Sequence, residues 1–417
     1  MVQRVVSGAR GRMEIDARVP VLVAGRGGTG DVGIARTLGR LGVSAYLVGQ
    51  AGVPPPVWAS RYWTGKTSWD FARPEEASLQ FLLEYGARFQ RTHGTRPILL
   101  TTADWIAIFI ERHRGALQEY FVFPQSVKPT IHALADKWGM HLLATEHGIP
   151  TPRTMRPESR SDVDEYLETS VFPVVLKPGD PYVGEKRSAK IIHSREDLLA
   201  EVDREAERGT LDFVLQEYIP GDVDSVWMCN GYFGDNPEHT LIFPGKKLRQ
   251  TSPTGIASLA VCLPNDTVAD QTRRFMEQVG YRGCVGIGWR YDSRDGLYKL
   301  LDVNARVSGV FRLFAGTNEM DVVRACYLDL TDQRVPPSAL QPGRKWMLED
   351  DIIAGVSAVR GGSLTVAQWA RSVRGVREMQ WLAADDPAPF LVWFRNRALS
   401  RLRQIAGRVG SLPRGLR

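Results

Sequence analysis

The sequence predicts an α/β protein whose first part is a βαβ unit and whose second part mixes strands and helices in an α+β arrangement. The first observation is a short apolar run at 19–24 that enters a glycine-rich turn, followed by a helix-like run and a second strand at 44–48. The second is a series of short apolar runs between Gly and Pro breakers, with helical spacing at 130–147 and 268–279. Period-2 and period-3.6 apolar patterns in one chain indicate packed layers of sheet and helix.

The length and the breaks in the pattern predict several domains, because a chain of 417 residues usually forms two or three. We expect a flexible leader at 1–17, an N-terminal α/β domain at 18–128, a second domain at 129–330 and a helical C-terminal extension at 331–417. Further strands are expected at 97–101, 173–177, 188–193, 213–218, 225–232, 239–243 and 256–263.

The composition is that of an ordinary globular protein with an unusual tail. No stretch reaches the roughly 20 apolar residues that span a bilayer, and the start lacks the apolar core of a signal peptide, so a cytoplasmic location is expected. The net charge is +6, but the segment from Arg395 onward has seven arginines and no acid, while the rest has 46 basic and 47 acidic residues. The basic balance belongs to the tail and does not indicate a nucleic-acid-binding body.

The tail has the pattern of an amphipathic helix over 390–412. Apolar residues recur every three or four positions from 391 onward, and most of the arginines lie between them. Two interpretations stay open: the helix docks on the body or on a second subunit, or it makes peripheral contact with an anionic membrane.

The first glycine-rich turn matches G-x-G-x-x-G at Gly25, Gly27 and Gly30. A dinucleotide site also needs an acid about 20 residues further on, to hold the ribose hydroxyls. No Asp or Glu occurs between Asp31 and Asp70. A tight strand-to-helix turn is therefore the preferred interpretation, although a small ligand at the helix N-terminus stays an alternative.

Lysine and arginine residues at strand positions form a second group of candidates. Lys177 closes the apolar strand at 173–177, where its ammonium group would point into a cleft and meet a phosphate, and the loop at 179–186 could cover a nucleotide. Lys247 and Arg249 are two residues apart, which would place both on one strand face, suited to phosphate or carboxylate. A solvated hairpin loop and a solvated basic edge are the alternatives.

The hairpin at 283–309 carries the most specific pattern. Its second strand ends with Asp302, Asn304 and Arg306, which alternation places on one face with neighbours about 6.6 Å apart. The carboxylate and the amide oxygen could bind a hard cation such as Mg²⁺, and the guanidinium could bind a phosphate. A solvated polar face is the alternative.

Taken in chain order, these segments resemble the ATP-grasp superfamily, and within it the ATP-dependent carboxylate–amine ligases. The resemblance covers about 129–330 and implies an ATP-grasp fold, with a Rossmann-like pre-ATP-grasp domain before it. The matching segments are 136–137, 146–152, 174–178, 216–221, 247–249 and 302–306.

The resemblance also implies a reaction and a set of site residues. A carboxylate would attack the γ-phosphorus of ATP, and an amine would displace phosphate from the acylphosphate to form an amide or peptide bond. The substrates would be a small-molecule carboxylate and amine, and related ligases are often homodimers. The implied roles are phosphate binding by Lys137 and Lys177, adenine binding by the backbone of Gln216, Glu217, Tyr218 and Ile219, ribose binding by Glu217 or Asp224, Mg²⁺ or Mn²⁺ binding by Asp302 and Asn304, and contact with the reacting groups by Lys247, Arg249 and Arg306.

One position departs from the family pattern. Active members place a Glu or Asp on the first strand of the final hairpin as a second carboxylate on magnesium, and Gly288 stands at that position here. A five-residue loop at 292–296 would pair Tyr291 with Leu297 and Gly286 with Asp302. Three readings stay open: a ligase with a reduced metal site, a non-catalytic nucleotide-binding protein with a regulatory or partner role, and a kinase or other phosphoryl-transfer variant.

Overall fold

The computed structural model describes residues 14–410 except 53–54, 180–188, 208–210, 253–254 and 363, and at 29, 357–358 and 402–410 it describes the backbone only. The loop expected to cover a nucleotide therefore lies almost entirely outside the described residues. The last residues of the expected leader are tied to the body, because the backbone amide of Asp16 donates to Gln333 Oε1 at 2.6 Å.

The N-terminal region is a parallel sheet with helices, as the sequence predicts. Its four strands pair in the order β3-β2-β1-β4, so all of them end at the same edge. The strands are β1 Val21–Gly25, β2 Ala45–Gln50, β3 Trp63–Trp69 and β4 Ile98–Thr101. The helices are α1 Thr29–Gly39, α2 Glu75–His93, α3 Asp104–Arg112 and α4 Arg114–Leu117, with a 3-10 helix at Pro55–Ala59.

A small antiparallel sheet follows, in the order β5-β8-β6-β7. Its strands are β5 Thr154–Met155, β6 Val174–Pro178, β7 Lys190–Ile192 and β8 Phe213–Glu217. The helices around it are α5 Ile131–Ala135, α6 Lys137–Glu146, α7 Arg160–Glu168 and α8 Arg195–Glu207. Central β6 and β8 bury apolar side chains against α7 and α8, which leaves the ends of these strands as a rigid support for polar groups.

The third sheet has seven strands in the order β13-β12-β9-β10-β11-β14-β15. The strands are β9 Val226–Phe233, β10 Leu241–Gln250, β11 Ala257–Cys262, β12 Gly283–Asp292, β13 Leu297–Asn304, β14 Lys345–Met347 and β15 Val376–Met379. The remaining helices are α9 Asp266–Gln278, α10 Val322–Leu330, α11 Asp350–Arg360, α12 Val366–Val373 and α13 Ala388–Gly410, with 3-10 helices at Val223–Ser225, Pro237–His239, Phe311–Phe314 and Thr317–Glu319.

The C-terminal extension is less helical than the sequence predicts, because β14 and β15 both belong to it and extend the large sheet. These strands have only three and four residues, too few for an alternating pattern to stand out. The extension is also joined to the N-terminal region by a buried ion pair and a buried hydrogen bond. Arg36 of α1 donates to Asp386 at 2.9 Å, and Ser60 donates to the same carboxylate at 2.7 Å.

Candidate functional site

The three sheets enclose a cleft of about 1470 Å³. Its walls come from the ends of β6 and β8, from the hairpin β12–β13, and from the loops after the strands of the N-terminal sheet. Ten of the twelve residues that the sequence singled out line it. They are Lys137, Lys177, Gln216, Glu217, Tyr218, Ile219, Lys247, Asp302, Asn304 and Arg306.

Three lysines and one carboxylate form the polar centre of the cleft. Lys137, at the start of α6, makes an ion pair with Asp302. Lys177, at the end of β6, donates to the backbone carbonyl of Leu301 at 3.1 Å, and Lys247 on β10 donates to that of Gly255 at 2.9 Å. Because one carboxylate neutralises only one ammonium group, the cleft carries an excess of positive charge that suits an anionic ligand.

The pKa values of these groups follow from burial and from mutual charge. Burial by itself would lower the pKa of Lys137, but the charge and hydrogen bond of Asp302, together with the charges of Asp104 and Asp136, raise that pKa. Burial, aided by the Lys137 charge, lowers the pKa of Lys177 to about 8. Burial opposes ionisation of Asp302 as well, yet Lys137 and Lys177 lower its pKa to about 2, so this carboxylate is charged at neutral pH.

The pairing of the hairpin differs from the register expected from the sequence. Gly288 lies opposite Asp302 and Gly286 opposite Asn304, while Tyr291 pairs with Tyr298 rather than with Leu297. Two features cause the difference: the loop is one residue shorter than expected, because Asp292 pairs with Leu297, and a β-bulge lies between Gly288 and Trp289. No sequence pattern indicates either feature.

The two glycines of the hairpin differ in the space around them. A Cβ atom added at Gly288 would lie 3.6 Å from Asp302 Cβ, which is ordinary contact. One added at Gly286 would lie 2.8 Å from Ser308 Cβ, which is too close. The face opposite Asp302 therefore has room for a side chain that the chain does not supply.

The metal-binding pair predicted from the sequence is assembled on β13. Asn304 Nδ2 donates to Asp302 Oδ2 at 2.8 Å, and Asn304 Oδ1 accepts from Arg306 at 2.7 Å. In the described part of the chain no cluster of three or more His, Cys, Asp or Glu side chains could hold a metal ion. One carboxylate and one amide oxygen could bind a single Mg²⁺ that takes its other ligands from phosphate and water, provided that the Asn304 amide rotates its oxygen from Arg306 toward Asp302.

Arg306 connects the hairpin to the N-terminal domain. Its Nε and Nη2 atoms donate to the two oxygens of Asp104 at 3.1 and 3.2 Å. Asp104 is the first residue of α3, directly after β4. The guanidinium is thus fixed at the rim of the cleft, where it faces the same space as Asp302 and Lys177.

Two predicted site residues lie elsewhere, and both expectations are corrected. Arg249 does not share a face with Lys247, because a β-bulge separates them, and its Nε donates to buried Asp351 at 3.0 Å. Asp224 is absent from the cleft wall, since its side chain is 75% exposed and lies 3.3 Å from Lys246 Nζ. Of the two ribose candidates, only Glu217 lines the cleft.

In the glycine-rich turn after β1, the backbone amides bind a carboxylate of the chain itself, that of Asp31. Asp31 Oδ2 accepts from the amides of Gly27 and Gly28 at 2.8 and 3.1 Å, and Thr102 donates to Oδ1 at 2.5 Å. Burial raises the pKa of Asp31 to about 6 although these hydrogen bonds oppose the shift. Two amides that a bound anion would need are therefore occupied, which supports the interpretation as a tight turn and weakens that of a ligand site at this helix N-terminus.

The sequence did not single out the cleft wall that the N-terminal domain forms. Arg26, Phe71, Arg73 and Trp105 all line it. They follow β1, β3 and β4 along the chain, and the carboxyl ends of parallel strands are where open α/β sheets bind ligands. That rule could have pointed to this wall. Many residues of the chain lie near strand ends, however, and these four form no motif that would single them out.

No family model matches the chain. D-aspartate ligase from Enterococcus faecium (strain Aus0004) is 27% identical over 241 residues, which cover 54% of this chain and 57% of that protein. The chain thus matches little more than half the length of this curated relative. Two solved structures are similar in fold: N5-carboxyaminoimidazole synthetase from Staphylococcus aureus complexed with ADP (TM-score 0.60, 14% identity, 79% of this chain and 81% of that one) and L-amino acid ligase from Bacillus licheniformis (TM-score 0.56, 15% identity, 78% of each).

These likenesses establish the fold class as mixed α/β with the ATP-grasp architecture, as the sequence predicts. The resemblance drawn from the motifs is confirmed as well. The chain is thus similar in sequence to a D-aspartate ligase over about half its length, and similar in fold to ATP-grasp enzymes over most of it, which supports the carboxylate–amine ligase-like branch.

Proposed function

We propose that the protein is an ATP-dependent ligase that joins a small-molecule carboxylate to an amine and releases ADP and phosphate. The observation that carries the proposal is the convergence of Lys137, Lys177 and Lys247 on the Asp302–Asn304 pair in a single cleft. The names of the curated relative and of the L-amino acid ligase describe the same type of bond formation.

The cleft residues fit a nucleotide with one magnesium ion. Lys137 and Lys177 would hold the phosphates, the strand end at 216–219 would present its backbone to adenine, and Glu217 would bind the ribose. Asp302 and Asn304 would hold Mg²⁺, with Mn²⁺ as a substitute of similar ligand preference. Bound ATP supplies the phosphoryl group that activates the carboxylate, and the metal neutralises charge on its phosphates.

The reaction needs positioning and charge stabilisation more than a protein nucleophile. An oxygen of the substrate carboxylate forms a bond to the γ-phosphorus while the bond to the ADP oxygen breaks. The amine nitrogen then bonds to the acyl carbon, phosphate leaves with the bonding electrons, and the nitrogen loses a proton. Lys247 and Arg306 would stabilise the negative charge that develops on the transferring group, a role that fixed cations perform well in a partly enclosed site.

The proposal is tested by incubating the protein with ATP, Mg²⁺ and mixtures of amino acids and other small acids, and by measuring ADP and phosphate. Release that requires both an acid and an amine supports a ligase, and Lys177→Met should remove it. Nucleotide binding without release over a broad panel would refute the ligase and favour the non-catalytic alternative. Gly288 is the observation behind that alternative, because the site lacks the second carboxylate of active family members.

We also propose that α13 makes peripheral contact with an anionic membrane. Phe390 and Trp393 pack toward the core, whereas Leu391, Phe394 and Leu399 are 61%, 59% and 46% exposed, so the apolar stripe faces outward. The first turns of α13 therefore dock on the body through Phe390 and Trp393, as one of the two interpretations expects, while the exposed stripe of the described part has no cover from the body. The tail from Arg395 onward has seven arginines and no acid, a charge that complements anionic lipid.

Liposome co-sedimentation with and without residues 391–417 tests this contact, with neutral vesicles as the control. We expect only the full chain to pellet, and only with anionic vesicles. Equal pelleting of the full and truncated chains would refute the proposed membrane contact. If truncation instead abolished dimerisation, the stripe would be assigned to contact with a second copy of the chain. No helix of the described chain has the length and apolar content to cross a bilayer. A cytoplasmic location and a homodimer remain predictions from the sequence.

A further inference from the structure

The wall of the cleft opposite the lysines is formed by the carboxyl edge of the N-terminal sheet. Loops after β1, β2 and β3 reach the cleft there, and the site residues assigned above do not come from them. Open parallel sheets bind ligands in the crevice outside their carboxyl edge, because loops from neighbouring strands converge on it. A nucleotide held by Lys137, Lys177 and the 216–219 strand end would leave this wall to another reactant.

Two guanidinium groups stand at this edge. Arg26 directly follows β1 and Arg73 follows β3, with β2 between them. Two strand spacings are about 10 Å, a separation that two arginine side chains can bridge toward a common ligand. Within the described part of the chain neither makes a salt bridge, and Arg73 stacks 5.0 Å from the Trp69 ring. Both side chains are exposed to the cleft.

The acids near these arginines already have other partners. Asp31 lies buried under the glycine turn and accepts from its amides. Asp70 accepts from Gln50 at 2.8 Å and from the amide of Ala72 at 3.1 Å. Glu75 is 2.7 Å from His113 Nε2. The charges of Arg26 and Arg73 reach Asp31 and Asp70 and act to lower the pKa of each carboxyl group, but among the described residues neither arginine forms a salt bridge with them. Both guanidinium groups therefore keep donors for a ligand.

An apolar surface lies beside the two arginines. The rings of Phe71 and Trp105 meet edge to face at 5.3 Å and both line the cleft. Trp105 is next to Asp104, which holds Arg306 at the phosphoryl side of the cleft. A ligand lying on these rings would extend from the reacting group to the arginines, so that its far end carries the negative charge.

We propose that Arg26 and Arg73 bind a second anionic group of the substrate, a carboxylate or a phosphate that does not take part in the reaction. The proposal rests on the ligase function and names its substrate class: small acids or amines that carry an additional negative charge. Guanidinium groups suit both anions, because their paired N–H donors match two oxygens.

The test uses pairs of compounds that differ only in the second charge. Aspartate and asparagine, glutamate and glutamine, and phosphoserine and serine, each as both enantiomers, are titrated into the full-length protein with Mg²⁺ and a non-hydrolysable ATP analogue. Thermal shift and calorimetry measure binding. We expect at least one charged member to bind roughly tenfold or more tightly than its neutral partner. Preference in the first two pairs assigns a carboxylate, and preference in the third assigns a phosphate.

Variants then test whether Arg26 and Arg73 cause the preference for the charged compound. The double variant Arg26→Gln and Arg73→Gln should lose it while affinity for the ATP analogue is kept, and Arg91→Gln on an exposed turn of α2 should change nothing. No preference in any pair, or a preference that survives in the double variant, overturns the subsite. If the neutral compound of each pair supported ADP release as well as the charged compound did, the anion subsite would be overturned and the ligase function would stand. If the charged compounds bound selectively but no compound supported ADP release, the anion subsite would stand and the ligase function would be refuted.

Discussion

Replacing Gly288 with glutamate tests the metal site directly. The space exists, because a Cβ there would lie 3.6 Å from Asp302 Cβ, and the backbone needs no left-handed conformation. We therefore expect Gly288→Glu to fold and to place a second carboxylate beside Asp302. At a separation of about 5 Å and an effective dielectric constant of about 20, the two carboxylates would repel by about 3 kcal/mol without a cation.

A divalent ion between the two carboxylates reverses the sign of that interaction. At equal distance, the energy of attraction between each carboxylate and the divalent ion is twice the energy of repulsion between the two carboxylates. The loss of water from the ion and from the carboxylate offsets most of this gain. We expect a net improvement of about 1 to 3 kcal/mol, which is roughly 5- to 150-fold in the dissociation constant. Titration of Mn²⁺ by electron paramagnetic resonance, with an ATP analogue present, measures it.

Two variants control the interpretation. Gly288→Gln has the same shape without the charge and should bind Mn²⁺ about as weakly as the parent protein. Gly286→Glu should lower the free energy of unfolding, because its Cβ would lie 2.8 Å from Ser308 Cβ. The assignment of Gly288 to the missing metal ligand would be refuted if the Glu and Gln variants at 288 bound Mn²⁺ equally.

Three further predictions concern residues already in the chain. Asp302→Ala should abolish the Mg²⁺ dependence of nucleotide binding, measured by calorimetry with and without the metal; unchanged dependence would remove its metal role. Affinity for the ATP analogue should fall as pH rises through about 8, where Lys177 loses its proton in the free protein, and binding above that pH should take up a proton, since a bound phosphate restores the ammonium. Lys177→Arg should flatten this profile, and a flat profile in the parent protein would count against Lys177 as a phosphate ligand. Arg249→Ala should lower the free energy of unfolding by about 2 to 4 kcal/mol in urea denaturation, because it leaves buried Asp351 without its cation. Nucleotide affinity of the folded protein should stay the same, and a loss of affinity at unchanged stability would return Arg249 to the site.

The residues of the nucleotide half of the cleft were predictable because each follows from a local rule. Lys177 ends an apolar strand, and strand alternation puts Asp302, Asn304 and Arg306 on one face. The order of the segments along the chain then made the prediction of a nucleotide site specific, because several such segments in this order resemble a single superfamily. The cleft brings all four of these side chains together.

The failures come from tertiary contacts and from irregular pairing. A shorter loop and the bulge beside Gly288 together moved the hairpin register, and the bulge between Lys247 and Arg249 separated two cations that alternation would have placed on one face. The partner of Arg249 is Asp351, 102 residues away, which no local pattern can supply. Arg26 and Arg73 were missed for the same reason, because only the pairing order of the parallel strands brings them to one edge.

The contact between Lys137 and Asp302 predicts that residue 288 affects nucleotide binding as well as metal affinity. Lys137 cannot neutralise Asp302 and a phosphate at the same time, so a cation that binds Asp302 releases Lys137 toward the nucleotide. Metal and nucleotide binding should therefore reinforce each other, and each lowers the cost of the other. A second carboxylate at 288 would keep negative charge near Lys137 after the metal binds and would weaken this exchange. With glycine at 288, we expect the site to bind metal less tightly by itself and Lys137 to interact more completely with the phosphates.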